Sequence, residues 1–129
     1  MRTLTIIILI LITFISSEEL QSEDNVLVLT DDTFLSAVKI YDTLMVLFYA
    51  PWCEHCRNFL PEYTKAAEIL KGENIILAKV DATINKKLSE KYNIKCFPTT
   101  ILLIDDSIIE YNGRRKSQNI INWIRKQFK

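Results

Sequence analysis

The residues best equipped for chemistry in this 129-residue chain are Cys53 and Cys56, in the run Trp52-Cys53-Glu54-His55-Cys56. Two cysteines three apart at a helix start put both sulfurs on one face, a single turn apart. The first then meets unpaired backbone N–H groups and the positive end of the helix dipole, which favour a thiolate. Such a dithiol can be oxidised, reduced and exchanged with other disulfides, with Cys53 as nucleophile and Cys56 as resolving thiol. A purely structural Cys53–Cys56 disulfide would enclose two residues and restrict the unfolded chain very little. His55, the only histidine, sits between the cysteines, where its positive form would stabilise the Cys53 thiolate.

The elements that must hold these residues follow from the apolar pattern. Leu44 to Tyr49 is continuously apolar, as expected of a central strand covered on both faces. A helix is predicted from Cys53 to about Lys71, with Phe59, Leu60, Tyr63, Ala66, Ala67 and Leu70 at core-facing spacing and Pro61 as a kink within it. Upstream, Val26 to Leu29 reads as a buried strand, and Thr30-Asp31-Asp32 as the cap of a helix reaching Ile40. Downstream, the pattern predicts a strand from Ile75 to Val80 and a short helix from Lys86 to Tyr92, capped near Asn85 and closed by a left-handed Asn93. A hairpin, Thr99–Ile104 and Ile108–Tyr111, turns around Asp105-Asp106-Ser107. Ser117 is expected to cap a last helix to Phe128. The predicted order is β-α-β-α-β-α-β-β-α, without repeat or linker, so one domain is expected over residues 26–129.

The N-terminus reads differently. Met1-Arg2 is positive, Leu4 to Ile15 is almost wholly apolar, and Ser16-Ser17 supply small residues before Glu18-Glu19. That run is shorter than the roughly 20 apolar residues a membrane span takes. It is expected to be a secretory signal peptide over residues 1–17, followed by a loose polar leader over 18–25. Loss of Arg2 from equal totals of 16 basic and 16 acidic residues leaves the mature chain near −1. That balance gives no electrostatic case for nucleic acid or an acidic membrane surface. Three cysteines are too few for a disulfide scaffold. A metal module needs about four suitable ligands, which one CxxC and a distant Cys96 supply poorly, so neither metal nor cofactor is expected.

Several segments together resemble the protein disulfide isomerase family. Phe48 to Cys56 is close to that family's FYAPWCGHC stretch. The likeness continues through Pro61-Glu62-Tyr63, Val80-Asp81-Ala82-Thr83, Phe97-Pro98-Thr99, Tyr111-Asn112-Gly113-Arg114 and Ile121-Asn122-Trp123. The resemblance implies an α/β thioredoxin fold, a central mixed sheet flanked by helices on both faces. It implies a thiol–disulfide oxidoreductase or isomerase acting on client proteins through a Cys53/Cys56 disulfide. It further implies a cis Pro98 that contacts substrate, an Arg114 that tunes Cys56, and a groove shaped by Trp52 and Phe97.

Three departures from that pattern bear on rate. Glu54 replaces a glycine, placing a carboxylate beside Cys53. Leu47 stands where the family carries a buried glutamate that takes the second cysteine's proton. Cys96 replaces a glycine two residues before Pro98, either as a third redox thiol or, more simply, as a small buried residue. A thioredoxin-like reductase and a weakly catalytic chaperone are the alternatives to an isomerase. A monomer in the endoplasmic reticulum lumen is expected, recycled by an unidentified oxidase or reductant. Secretion is the alternative, since the chain ends without a KDEL-type signal.

Overall fold

A computed structural model describes residues 19–129; the expected signal peptide lies outside them. The elements run β1 (Gln21–Glu23), β2 (Val26–Val28), α1 (Phe34–Ile40), β3 (Thr43–Tyr49), α2 (Glu54–Lys71), β4 (Ile76–Asp81), α3 (Lys86–Lys91), β5 (Thr99–Ile104), β6 (Ser107–Glu110) and α4 (Ser117–Lys126). They form one six-stranded sheet ordered β1-β2-β4-β3-β5-β6. β3 lies parallel to β4 and antiparallel to β5, so the sheet is mixed.

β3 is buried along nearly its whole length because its alternate side chains feed two cores. Met45 and Leu47 pack on one face against Phe59, Tyr63, Ala66, Ala67 and Leu70 of α2 and Ile120, Ile121 and Ile124 of α4. Leu44, Val46 and Phe48 point the other way, toward Phe34 and Ala37 of α1 and Leu88 of α3. Helices therefore cover both faces, and the chain leaves the C-terminal end of β3 directly into the cysteine loop. Tyr63, fully buried, fixes α2 to the sheet by donating its hydroxyl proton toward the Met45 and Ala78 carbonyls, at 3.1 and 2.8 Å.

Three differences from the sequence reading have physical causes. The leader expected to be loose contains β1, which pairs antiparallel with β2. Asp24 and Asn25 make this hairpin by adopting positive φ (49° and 68°), a conformation their short polar side chains tolerate. Ser117 does not cap α4: the N-cap position is Lys116, with no side-chain hydrogen bond. Thr30 and Thr33 instead bond each other's backbone N–H groups ahead of α1, while the Asp31 carboxylate reaches across to accept from Leu88 N at 3.0 Å at the start of α3. Pro61 sits inside α2 without ending it, and Asn93 takes the left-handed conformation at φ 53°.

Candidate active site

The loop from Ala50 to Cys53 is braced at both ends. Cys53 N–H donates to the Ala50 carbonyl at 3.1 Å, and the Arg57 guanidinium donates to the Pro51 carbonyl at 3.2 Å. These bonds deliver Cys53 to the N-cap position of α2, with extended backbone (φ −81°, ψ 114°). There its sulfur fills the role a serine or aspartate oxygen usually plays, accepting the Cys56 N–H at 3.2 Å. Both cysteines are free thiols, Cys53 7% and Cys56 3% exposed. They form a small cluster with Ala50, against which Tyr49 and Phe97 pack.

Cys56 is a reluctant acid, its thiol pushed up to about 11. Burial is the main cause, followed by its hydrogen bond to the Cys53 sulfur and the repulsion of a charge there. A hydrogen bond at Ala50 and the positive charge of Arg115 act in the opposite direction. Of these influences the charge of Arg115 is the smallest. Arg114, the residue singled out from the sequence, uses its backbone carbonyl to accept the Tyr111 hydroxyl proton.

Around the sulfurs the surface is exposed and mixed. Trp52 is 69% exposed and meets the half-buried Phe97 edge-on, ring centroids 5.9 Å apart. The Phe97–Pro98 peptide bond is cis. His55 is exposed and faces a cleft of about 540 Å³ with Asn58, Phe59, Arg114, Arg115 and Lys116. Cys96 is exposed, not a small buried residue, and its sulfur lies 3.7 Å from the Thr99 hydroxyl, outside the cluster holding Cys53 and Cys56.

Beneath the site the sheet is apolar where the resemblance would place a carboxylate. Leu47 is 1% exposed and lines a cavity of about 250 Å³ together with Tyr49, Cys56, Leu60 and Lys79. Lys79, opposite Leu47 in the parallel register, is a buried lysine whose ammonium reaches Glu23 of β1 at 2.8 Å. Sequence reasoning passed over Lys79, although a lysine inside the apolar run Ile76–Val80 was the available signal. Among the described residues no cluster of three or more histidine, cysteine or acidic side chains is arranged to hold a metal ion.

A thioredoxin family model matches residues 25–126. The chain belongs to the thioredoxin family. Its thioredoxin domain is 42% identical over 111 residues to a protein disulfide-isomerase of Drosophila melanogaster, covering 84% of this chain and 22% of that one. A protein disulfide-isomerase of Ricinus communis is 42% identical over 125 residues, covering 92% and 25%. The chain therefore spans about a fifth to a quarter of the length of these curated relatives. Among solved structures, the first thioredoxin domain of mouse protein disulfide-isomerase A4 superimposes with a TM-score of 0.80 at 36% identity, over 88% of this chain and 83% of that one. Full-length ERdj5 matches at TM-score 0.73 and 33% identity, over 80% of this chain and 14% of that one. The thioredoxin fold expected from the sequence is the fold observed.

Proposed function

We propose that this chain is a thiol–disulfide oxidoreductase of the isomerase kind, forming and rearranging disulfides in client proteins of the secretory pathway. The observation that carries this reading is the pair of free thiols at the start of α2, with Cys53 sulfur as the N-cap acceptor and Cys56 one turn below it. An acceptor sulfur at a helix N-terminus suits a thiolate. Cys53 S⁻ attacks one sulfur of a client disulfide; a Cys53–client bond forms, the client S–S bond breaks, and the second client sulfur leaves as thiolate. In resolution Cys56 loses its proton and attacks the Cys53 sulfur. The Cys53–Cys56 disulfide forms and the client leaves as a dithiol. Run in reverse, the same steps oxidise a client dithiol and leave Cys53 and Cys56 reduced.

Each remaining residue has a place in this scheme. His55 in its cationic form stabilises the Cys53 thiolate, and Arg115, acting through Cys56, is a positioning residue for resolution. Trp52, Phe97 and Pro98 form the surface a client strand meets. With Leu47 in place of a carboxylate, the Cys56 proton leaves through the cavity beneath it, and resolution is the slow step. A lumenal site in the endoplasmic reticulum fits the apolar N-terminal run and the oxidising chemistry.

Refolding of scrambled ribonuclease and reduction of insulin test the proposal together. Wild-type protein is expected to catalyse both and Cys53→Ser neither. Catalysis of insulin reduction alone would favour a thioredoxin-like reductase. Leu47 favours a second reading, a client-binding module with little turnover, which predicts suppression of client aggregation that survives Cys53→Ser.

A further inference from the structure

The cleft beside the thiol pair carries charge that no ion pair among the described residues neutralises. Arg114, Arg115 and Lys116 face His55 and Asn58 across about 540 Å³, and no carboxylate lines the cleft. Among the described residues the three ion pairs are Lys65–Glu62, Lys79–Glu23 and Arg125–Glu73, so none of these three cations is paired. The loop that presents them is held in place. Tyr111 donates its hydroxyl proton to the Arg114 carbonyl and packs edge-on against Trp123 of α4, centroids 5.1 Å apart. Gly113 leaves room for this: a Cβ there would lie 2.7 Å from the Tyr111 ring.

The cleft does not stand alone. A second cavity, about 200 Å³, shares Phe59 and Arg115 with it and runs back past Tyr111 and Glu110 to Pro98 and Cys96. Sharing those two lining residues, they make a trough lined from Pro98 to His55, in which Glu110 is the one carboxylate against Arg114, Arg115 and Lys116. Its lining is cationic on balance, three basic residues against one acidic, which suits an acidic segment of a client polypeptide. Arginine side chains grip carboxylates in a bidentate fork, and three unpaired cations on an anchored loop attract acid and repel base.

Resting on the redox function proposed above, we infer that this trough selects clients by charge: it takes an extended polypeptide carrying Asp or Glu close to its reactive cysteine. The cationic wall draws the acidic segment in and sets its disulfide against Cys53, while lysine- or arginine-flanked disulfides are disfavoured.

Three disulfide peptides test this, identical except for acidic, amide or basic residues flanking the cysteines. Binding is read by fluorescence anisotropy on the full chain carrying Cys53→Ser, and exchange by stopped-flow on the full chain with both thiols intact. At low ionic strength the acidic peptide is expected to bind and react about tenfold better than its amide counterpart, with the basic peptide last. The ratio should shrink toward one near 0.5 M salt, as the charges are screened. In Arg114→Gln/Lys116→Gln it should fall to about twofold at low salt, because two of the three cations are gone. Equal binding of the three peptides, or a ratio untouched by the double substitution, would overturn the inference. So would a preference confined to glutathione disulfide, which would reduce the trough to a small-anion site. If none of the peptides exchanges with the intact thiols, the redox reading fails instead, and anisotropy still decides whether the trough prefers acid.

Discussion

The floor of the active site and its rim are built on opposite principles. Beneath the thiols, Leu47, Phe59 and Tyr63 are nearly inaccessible, and Cys56 shares that dry environment. Above and beside them, Trp52 and the residues from Asn112 to Lys116 are exposed, and the loop is basic. The floor thus holds one paired ammonium, that of Lys79, while the rim gathers cations with no partner among the described residues. On the function proposed above, the floor would set the proton chemistry of resolution and the rim which client arrives. Arg115 belongs to both, lining the basic cleft while its charge is felt at Cys56.

The largest expected effect sharpens this contrast. With Cys56 at about 11, the thiolate needed for resolution is scarce at neutral pH and grows about tenfold per unit below that value. In the mixed disulfide the contributions of the Cys53 thiol are gone but burial remains, so single-turnover release should still rise with pH, by up to about a hundredfold from pH 7 to pH 9. A flat profile would mean that the dry floor does not limit the step. The sign follows from the raised value: a thiol held protonated resolves faster as pH increases.

Next in size, Leu47→Glu places a carboxylate in the cavity shared by Cys56 and Lys79, where it can take the thiol proton. Release at pH 7 is expected to rise at least about tenfold and its pH dependence to flatten, a cautious figure beside the roughly hundredfold or more a well-positioned base supplies. An unchanged or slower rate in the folded variant would show that the missing carboxylate is not what slows this site.

Arg115→Gln tests the one residue that joins the two regions. Without its charge the Cys56 thiol should rise further, and release should slow by about threefold at low salt, an effect that fades as ionic strength screens the exposed guanidinium. The same substitution at Arg114 should leave release from an uncharged peptide closer to wild type. Equal slowing by both would erase the distinction between them. Smallest in its effect on the fold is Trp52→Ala, which removes an exposed side chain whose ring partner is Phe97. Thermal unfolding should move by no more than about 0.5 kcal/mol in stability, while KM for a peptide client rises. A large loss of stability would place Trp52 in the floor instead of the rim.

Much of the floor was legible in advance. The continuous apolar run of β3 and the helical spacing of Phe59, Tyr63, Ala66 and Leu70 predict the layers and even the faces, because burial on both sides of a sheet leaves an unmistakable pattern. The placement of the two thiols at the start of α2 was legible for a related reason: it depends on two residues one helical turn apart. The rim was harder to read. Arg114 and Arg115 are adjacent and chemically identical, and the path of the loop, pinned by Tyr111 and spaced by Gly113, sets how each is presented to the cleft beside His55. Residues 21–23 look like leader from their polarity, since a strand at the sheet edge with both faces exposed carries no apolar signature.

What the amino-acid order determined by itself is local: which segments bury one face or two, where a helix begins, and that the beginning of one carries a dithiol. Tertiary structure alone decided the long-range pairings, among them Lys79 with Glu23 across 56 residues, the cavity between Leu47 and Cys56, and the basic loop brought against His55. The physical reason is one of range. Propensity and periodicity act over one or two turns, whereas the proton affinity of Cys56 and the charge its clients meet depend on groups that become neighbours only when the sheet is assembled.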